Sequence, residues 1–146
     1  MANVLFVQPN AGWQWDALAE ACALNKVVLY HAHTCGEAEE IIGRLCPAVV
    51  VCALNFPDGD WRRILQLAQE ASMPCSVIVV SQHEDVPLYL TAMESGAYDF
   101  ATLQASKTEL SWIIRCAIGN SENRREAKRV AATSVFPQRS LKGMLL

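Results

Sequence analysis

An apolar run at residues 49–54 (VVVCAL) constrains the fold of this chain more than any other stretch. It is too short and too β-branched for a helix, and it lacks the alternation of a half-exposed strand. Such a run favours a strand buried on both faces in the centre of a parallel sheet. Residues 55–59 (NFPDG) then have turn-forming side chains, and Asp60 is placed to cap a following helix. In open α/β sheets ligands bind beyond the carboxyl ends of such strands, so this end is the expected site.

Four further strand-like runs alternate with helical patterns through residue 120. The predicted strands cover residues 3–7, 27–30, 76–80 and 100–103. Apolar residues recur at helical spacing after each of the five strands, and Gly119–Asn120 is predicted to close the last helix. This order predicts an α/β fold, a three-layer, doubly wound sheet of five parallel strands.

The charge is distributed unevenly along the chain. Residues 1–120 contain 6 Lys+Arg against 13 Asp+Glu, whereas residues 121–146 contain 6 against 2. We therefore expect one acidic domain over 1–120 and a basic, linker-like extension over 121–146, with helix allowed at 122–129. An acidic body argues against nucleic-acid binding by this chain alone.

The cysteines and the N-terminal residues bear on the cellular compartment that we expect for this chain. None of the six cysteines forms a CxxC pair, no basic region precedes the first apolar segment, and no apolar stretch reaches the length of a membrane span. We expect free thiols, a cytoplasmic location and no membrane contact.

Two strings, residues 54–60 (LNFPDGD) and 92–100 (AMESGAYDF), resemble the receiver domain of two-component response regulators. The first is similar to the loop after that family's third strand, and the second to its fourth helix and the approach to its fifth strand. With the strand spacing, the resemblance covers residues 1–120. It implies a flavodoxin-like, CheY-like (βα)5 fold and phosphoryl transfer to an aspartate at the end of the third strand.

The residues needed for that transfer are replaced at the matching positions. Ala53 matches the phosphate-accepting aspartate, Gln8 and Pro9 match the acidic pair, and Leu103 matches the lysine. Phosphoryl transfer needs a nucleophile, Mg²⁺ held by carboxylates and cations beside the transferring oxygens. We therefore expect a degenerate phosphorylation site, no Mg²⁺ or other cofactor, and no enzymatic activity.

Two positions of the family's conformational switch are retained. Ser81 matches the hydroxyl residue that senses the phosphate, and Phe100 matches the aromatic residue that reports this contact. The alternative to a switch role is that Ser81 simply ends a strand and that Phe100 simply packs in the core.

Two other residues are candidates for the pocket left by these replacements. Trp61 stands where the family has a small residue, and it either plugs the pocket or serves as a binding anchor. His83 lies in the loop after the fourth predicted strand. It either binds an anion or an acidic group of a partner, or is a solvent-exposed loop residue without such a role.

The last helix has an aromatic residue outside its apolar stripe. Trp112, with Arg115 beside it, is the preferred interface residue, because helix 4, strand 5 and helix 5 form the usual partner surface in the resembled family. A homodimer through this face is expected, and packing of Trp112 on a neighbouring helix is the alternative.

The remaining polar residues give weaker signals. His31 and His33 alternate on a strand end near Cys35, a spacing that can hold a metal, but no second ligand cluster is evident and no metal site is predicted. Asp58 and Asp60 are expected to serve as turn and cap residues rather than as substitute phosphate acceptors.

These residues predict a pseudo-receiver that acts through protein–protein contact without phosphorylation. One alternative is a small-molecule sensor that uses the emptied pocket. Another is the regulatory part of a nucleic-acid-binding regulator, which depends on the basic residues of 121–146.

Overall fold

A computed structural model describes residues 2–9, 15–102 and 106–145, with side chains at 2–9, 16–102 and 106–133. The elements within these ranges follow in the order β1 (Asn3–Val7), α1 (Trp15–Leu24), β2 (Val28–Ala32), α2 (Cys35–Leu45), β3 (Val49–Cys52), β4 (Asn55–Phe56), β5 (Gly59–Asp60), α3 (Trp61–Gln69), β6 (Ser76–Ser81), α4 (Val86–Glu94), β7 (Asp99–Thr102) and α5 (Lys107–Leu145).

Five of the strands form one parallel sheet in the order β2-β1-β3-β6-β7. Cys52 at the end of β3 lies level with Val7 of β1 and with Val79 of β6. The carboxyl ends of the three central strands therefore meet at one edge. The predicted doubly wound, five-stranded parallel fold is confirmed.

The sheet is buried on both faces, which explains the continuous apolar runs of its strands. Val4 and Phe6 belong to the core under α1 and α5, whereas Leu5 and Val7 belong to the core under α2, α3 and α4. Because neighbouring residues of a strand point to opposite faces, the interior of a central strand is apolar at successive positions when helices cover both sides, and the buried serines of β6, Ser76 and Ser81, stand at its two ends.

The helix cap predicted at Asp60 is confirmed, since Asp60 Oδ1 accepts a hydrogen bond from the backbone N–H of Arg62 (2.9 Å) at the start of α3. Thr34 caps α2 in the same way, with its Oγ1 accepting from the backbone N–H of Glu37 (3.0 Å). The loop after β3 is more ordered than its turn-forming residues indicate. Asn55–Phe56 and Gly59–Asp60 pair as the short antiparallel strands β4 and β5.

The prediction that α5 closes at Gly119–Asn120 is wrong, because the helix runs from Lys107 to Leu145. A glycine inside a helix costs about 1 kcal/mol relative to alanine, which packing can offset. Ser121, the next residue, is fully buried. The domain boundary predicted at residue 120 therefore falls inside a helix that stays in contact with the body.

A serine cluster, formed by Ser76, Asn120 and Ser121, joins α5 to the amino ends of two strands. Ser121 Oγ donates to the carbonyl of Ala48 (2.6 Å) and lies 2.7 Å from Ser76 Oγ. Asn120 Nδ2 donates to the same Ser76 oxygen (2.9 Å), and Ser76 Oγ donates to the carbonyl of Ala117 (3.1 Å). The buried hydroxyl groups of Ser76 and Ser121 therefore each donate to a backbone carbonyl of another element or loop.

Two basic residues, one and two turns further along α5, bind loop carbonyls. The Arg125 guanidinium donates to the carbonyls of Pro74 (2.9 Å), Cys46 (2.9 Å) and Pro47 (3.1 Å). Lys128 Nζ donates to the carbonyl of Ser72 (2.6 Å). Residues 121–128 are therefore part of the folded body, and the linker-like description does not hold for them.

Candidate functional site

A cavity of about 410 Å³ opens at the carboxyl edge of the sheet, where β1, β3 and β6 end. It lies between the loop after β3 and the loop after β6. Its lining within the described part of the chain consists of Gln8, Pro9, Ala53, Leu54, Asn55, Val80, Ser81, Gln82 and His83.

The described lining of this cavity contains no carboxylate, lysine or arginine. Gln8 and Pro9 follow β1, and Ala53 follows β3, with its backbone N–H donating to the carbonyl of Val7 (3.0 Å). These three residues, predicted from separate segments, are therefore brought together at one cavity. Leu103, the fourth predicted position, lies outside the described residues.

Gln8 is the most deeply buried polar residue of this lining, with a side chain only 3% exposed. Its backbone is fixed on both sides: its N–H donates to the carbonyl of Ala32 (2.9 Å), and its carbonyl accepts from His31 Nε2 (3.2 Å). Its side-chain Oε1 has no hydrogen-bond partner among the described residues. A buried acceptor without a donor is uncommon and needs an explanation.

Ser81 and His83 meet on the opposite side of the cavity. Ser81 is buried at the end of β6, and its Oγ accepts a hydrogen bond from the backbone N–H of His83 (3.4 Å). The exposed His83 lies in the lining, as the pocket prediction requires. No acid orients its ring in the described structure, so the pair does not form a nucleophile–base arrangement.

Phe100 lies on the neighbouring strand β7, in register with Val79 of β6. Its ring is half-buried and makes an edge-to-face contact with Tyr89 of α4, with ring centroids 5.9 Å apart. Phe100 therefore packs on the core under α4 while one edge contacts an exposed helix residue.

Trp61 does not line the cavity, so the expectation that it plugs this pocket is not met. Its side chain is 3% exposed and belongs to the core under α2, α3 and α4. The Arg62 guanidinium carbon lies 4.6 Å from the centroid of its ring. The burial also excludes Trp61 as an exposed anchor, and the cavity stays open beside Ala53 and Ser81.

Asp58 and Asp60 bind backbone amides at two helix starts. The Asp58 carboxylate accepts from the N–H groups of Cys35 (2.8 Å) and Gly36 (3.0 Å), the first residues of α2. These two hydrogen bonds, the one from Cys35 foremost, lower the pKa of Asp58. Asp60 caps α3. Both carboxylates therefore have the cap and turn roles expected of them.

His31 and His33 lie side by side, with ring centroids 4.3 Å apart. Burial, and then the charge of His33, lower the pKa of His31. His33 Nδ1 lies 3.4 Å from a Glu37 carboxylate oxygen, and the Cys35 thiol is buried, with its pKa raised to about 11, mainly by that burial. Among residues 2–9, 16–102 and 106–133, no three His, Cys, Asp or Glu side chains are grouped to hold a metal ion.

Trp112 is exposed on the outer side of α5, with 63% of its surface accessible, so it does not cover a neighbouring helix. Arg115, three positions further along α5 and also exposed, donates from its Nε to Asn25 Oδ1 (3.3 Å), just after α1. Residues three apart are neighbours on a helix surface, and the role of the two residues at an interface stays a prediction.

Two further findings concern the whole chain. All six cysteines are free thiols. No helix within the described ranges is long and apolar enough to cross a membrane.

No family model matches this chain. A segment of 54 residues is 41% identical to the C4-dicarboxylate transport transcriptional regulatory protein DctD of Pseudomonas aeruginosa, covering 37% of this chain and 12% of DctD. A segment of 82 residues is 29% identical to the transcriptional regulatory protein FixJ of Bradyrhizobium diazoefficiens, covering 56% of this chain and 40% of FixJ. The chain thus matches less than half the length of either curated relative.

Solved structures share the fold over most of the chain. The beryllofluoride-activated NtrC4 receiver domain dimer has a TM-score of 0.74 and 27% identity, covering 83% of this chain and 99% of that one. NtrX from Brucella abortus has a TM-score of 0.76 and 20% identity, covering 89% of this chain and 30% of that one. The sheet order and these likenesses show that the chain has the CheY-like fold of solved receiver domains.

Proposed function

We propose that this domain is a pseudo-receiver, a signalling module that acts through protein–protein contact without being phosphorylated. The observation that carries the proposal is Ala53, whose methyl group stands at the carboxyl end of β3 in the lining of the cavity. A methyl group has no atom that can attack phosphorus.

The surroundings of Ala53 support the same conclusion. Mg²⁺ in a phosphoryl-transfer site is held by carboxylates and phosphate oxygens, and lysine or arginine stabilises the transferring group. Gln8 and Pro9 supply neither kind of charge. The two acidic residues of the loop after β3, Asp58 and Asp60, are engaged at helix starts. We therefore expect no Mg²⁺ site, no phosphoryl transfer and no enzymatic activity.

The test is incubation with acetyl phosphate and MgCl2 followed by intact-mass measurement. We expect the mass of the native chain to stay unchanged. The matched control is a triple variant, Gln8→Asp, Pro9→Asp and Ala53→Asp, which restores the three carboxylates and should gain one phosphoryl group if the rest of the site is competent. A stable phosphoryl adduct on the native chain, or saturable Mg²⁺ binding, would overturn the proposal.

The partner surface that we propose lies on α4 and α5. Val86 and Leu90 of α4 and Trp112 of α5 are large apolar side chains that are each more than half exposed. Tryptophan is enriched among the residues that dominate binding energies at interfaces. The NtrC4 receiver domain is described as a dimer, and we propose that a second copy of this chain, or another protein, binds the corresponding face.

The basic extension gives less support to a nucleic-acid partner. Arg125 and Lys128 bind carbonyls of the body, and Arg129 pairs with Glu126 one turn away, so these three charges are engaged within the chain. We propose that the domain acts without nucleic acid. Its free thiols support the cytoplasmic location that we propose.

A further inference from the structure

A second hollow, the α4–β7 groove, lies on the surface between the start of α4 and the edge strand β7. It has a volume of about 220 Å³, and its lining among the described residues consists of Glu84, Asp85, Val86, Tyr89, Phe100 and Thr102. This volume is below the range of about 300–1,000 Å³ that is usual for small-molecule pockets. The groove therefore suits a single side chain of a partner better than a metabolite.

Most of the lining is apolar, and two of its residues are aromatic. Val86 and Tyr89 are large exposed side chains, and the Tyr89 and Phe100 rings meet edge to face, with centroids 5.9 Å apart. Phe100 is also packed against the core under α4, which fixes that side of the groove. The groove thus presents aromatic surface that a partner can cover.

Two carboxylates accompany this apolar surface. Asp85 Oδ1 accepts from the backbone N–H of Leu88 (3.0 Å) and caps α4, whereas Glu84 is an exposed loop residue. Neither forms an ion pair with a described residue, and the described lining contains no lysine or arginine. The amino end of a helix has about half a positive charge, so two carboxylates leave this region negative.

This combination of charge and aromatic surface selects among side chains. Arginine has a planar, weakly hydrated guanidinium that stacks on aromatic rings and pairs with carboxylates, whereas the lysine ammonium is compact and strongly hydrated. An acidic side chain would be repelled, and a neutral one would leave both carboxylates without a counter-charge.

We propose that the α4–β7 groove is the docking site for an arginine side chain of a partner protein, with the guanidinium paired with the carboxylates of Glu84 and Asp85 and stacked on the aromatic lining. The inference rests on the proposed function, because it names the group that a partner contributes to the α4 side of the proposed surface.

The test uses four capped amino acids, the N-acetyl methylamides of arginine, lysine, citrulline and leucine, in a titration of the full chain followed by ¹H–¹⁵N NMR. Citrulline has the shape of arginine without its charge, and leucine represents a purely apolar occupant. We expect the arginine probe to shift the amide signals of Val86, Tyr89 and Thr102 saturably, with a dissociation constant on the order of 1 mM. The lysine probe should bind about threefold more weakly, and the citrulline and leucine probes about tenfold more weakly.

Variants test the named groups. Glu84→Gln and Asp85→Asn should each weaken the arginine probe about threefold, the size expected for an exposed ion pair, and Asn keeps the cap of α4. Tyr89→Leu should weaken it by a similar factor, because the aromatic ring is lost. Glu94→Gln, an exposed acid at the other end of α4 and outside the described lining, is the matched control and should leave the affinity unchanged. Glu84→Gln changes only an exposed loop side chain, so it decides the question if another variant does not fold.

The proposal is wrong if the citrulline or leucine probe binds as tightly as the arginine probe, or if Glu84→Gln keeps full affinity. It is also wrong if the signals that move are those of the exposed Trp112 and not those of Tyr89. Acetyl phosphate treatment of the same samples separates this from the proposed function. Absent arginine binding in a chain that also takes no phosphoryl group overturns the arginine site alone, whereas a phosphoryl adduct overturns the pseudo-receiver assignment.

Discussion

Ser76 Oγ and Ser121 Oγ lie 2.7 Å apart, although 45 positions separate them in the chain. Both side chains are buried, and the contact links the start of β6 to the middle of α5. Because Ser121 also donates to the carbonyl of Ala48 before β3, one hydroxyl holds the extended helix to two strands.

Replacing Ser121 by alanine should destabilise the domain. The carbonyl of Ala48 loses one of its two donors and keeps the backbone N–H of Ser76 (3.0 Å), so we expect the free energy of unfolding to fall by about 0.5–1.5 kcal/mol. Urea unfolding of Ser76→Ala, Ser121→Ala and the double variant measures the coupling, which should be about 0.5–3 kcal/mol. Thr108→Ala, at an exposed position of the same helix, is the control. Strictly additive losses would show that the two hydroxyls do not act together.

Arg125→Ala should also destabilise the body, because three loop carbonyls lose a charged donor. We expect a loss of about 1–3 kcal/mol in urea unfolding, together with faster hydrogen exchange near Pro47. The neighbouring Arg124 is exposed, and Arg124→Ala should change stability by less than about 0.5 kcal/mol. Equal effects of the two substitutions would contradict an anchoring role for Arg125.

Asp58 should make the free energy of unfolding depend on pH in the acidic range. Its pKa is lowered from the ordinary value of 3.8, so the native state favours the carboxylate more than the unfolded state does. Its contribution is therefore fully present above about pH 4 and is lost as the pH falls through the lower native pKa. The stability difference between native protein and Asp58→Ala, from urea unfolding between pH 7 and pH 2, should shrink below about pH 4.

Asp58→Asn is the matched control for that experiment, because it keeps one acceptor oxygen and has no charge to titrate. A difference between the native protein and Asp58→Ala that stays constant down to the lowest pH would mean that the carboxylate charge plays no part.

Trp112→Ala should weaken self-association without lowering stability. The side chain is 63% exposed in the monomer, so its removal leaves the core intact. If the α4 and α5 face binds a second copy, we expect the dimer dissociation constant to rise at least tenfold in sedimentation velocity. Leu24→Ala, an exposed apolar residue at the end of α1, is the control. An association state that does not respond to Trp112→Ala would exclude this residue from the interface.

Local patterns were sufficient to predict the strands and the caps. The run at residues 49–54 predicted the central strand β3 because burial on both faces requires uninterrupted apolar residues. Asp60 predicted the start of α3 because a cap depends on a residue only two or three positions away. Contacts between distant segments of the chain, in contrast, leave no comparable pattern in the sequence. Gly119–Asn120 resembles a helix end, yet α5 continues because Ser121 and Arg125 bind parts of the chain more than 40 residues away.

The sequence alone determined the five buried strands and the residue types that follow them, since apolar runs and the side chains at their ends can be identified without knowing the tertiary structure. Only the tertiary structure decided how those residues act. It placed Gln8, Ala53 and Ser81 around one cavity, left the Gln8 oxygen without a donor among the described residues, and buried Trp61 in the core instead of the pocket. The physical reason is that burial and hydrogen-bond pairing depend on which distant segments meet, and residue spacing does not encode that.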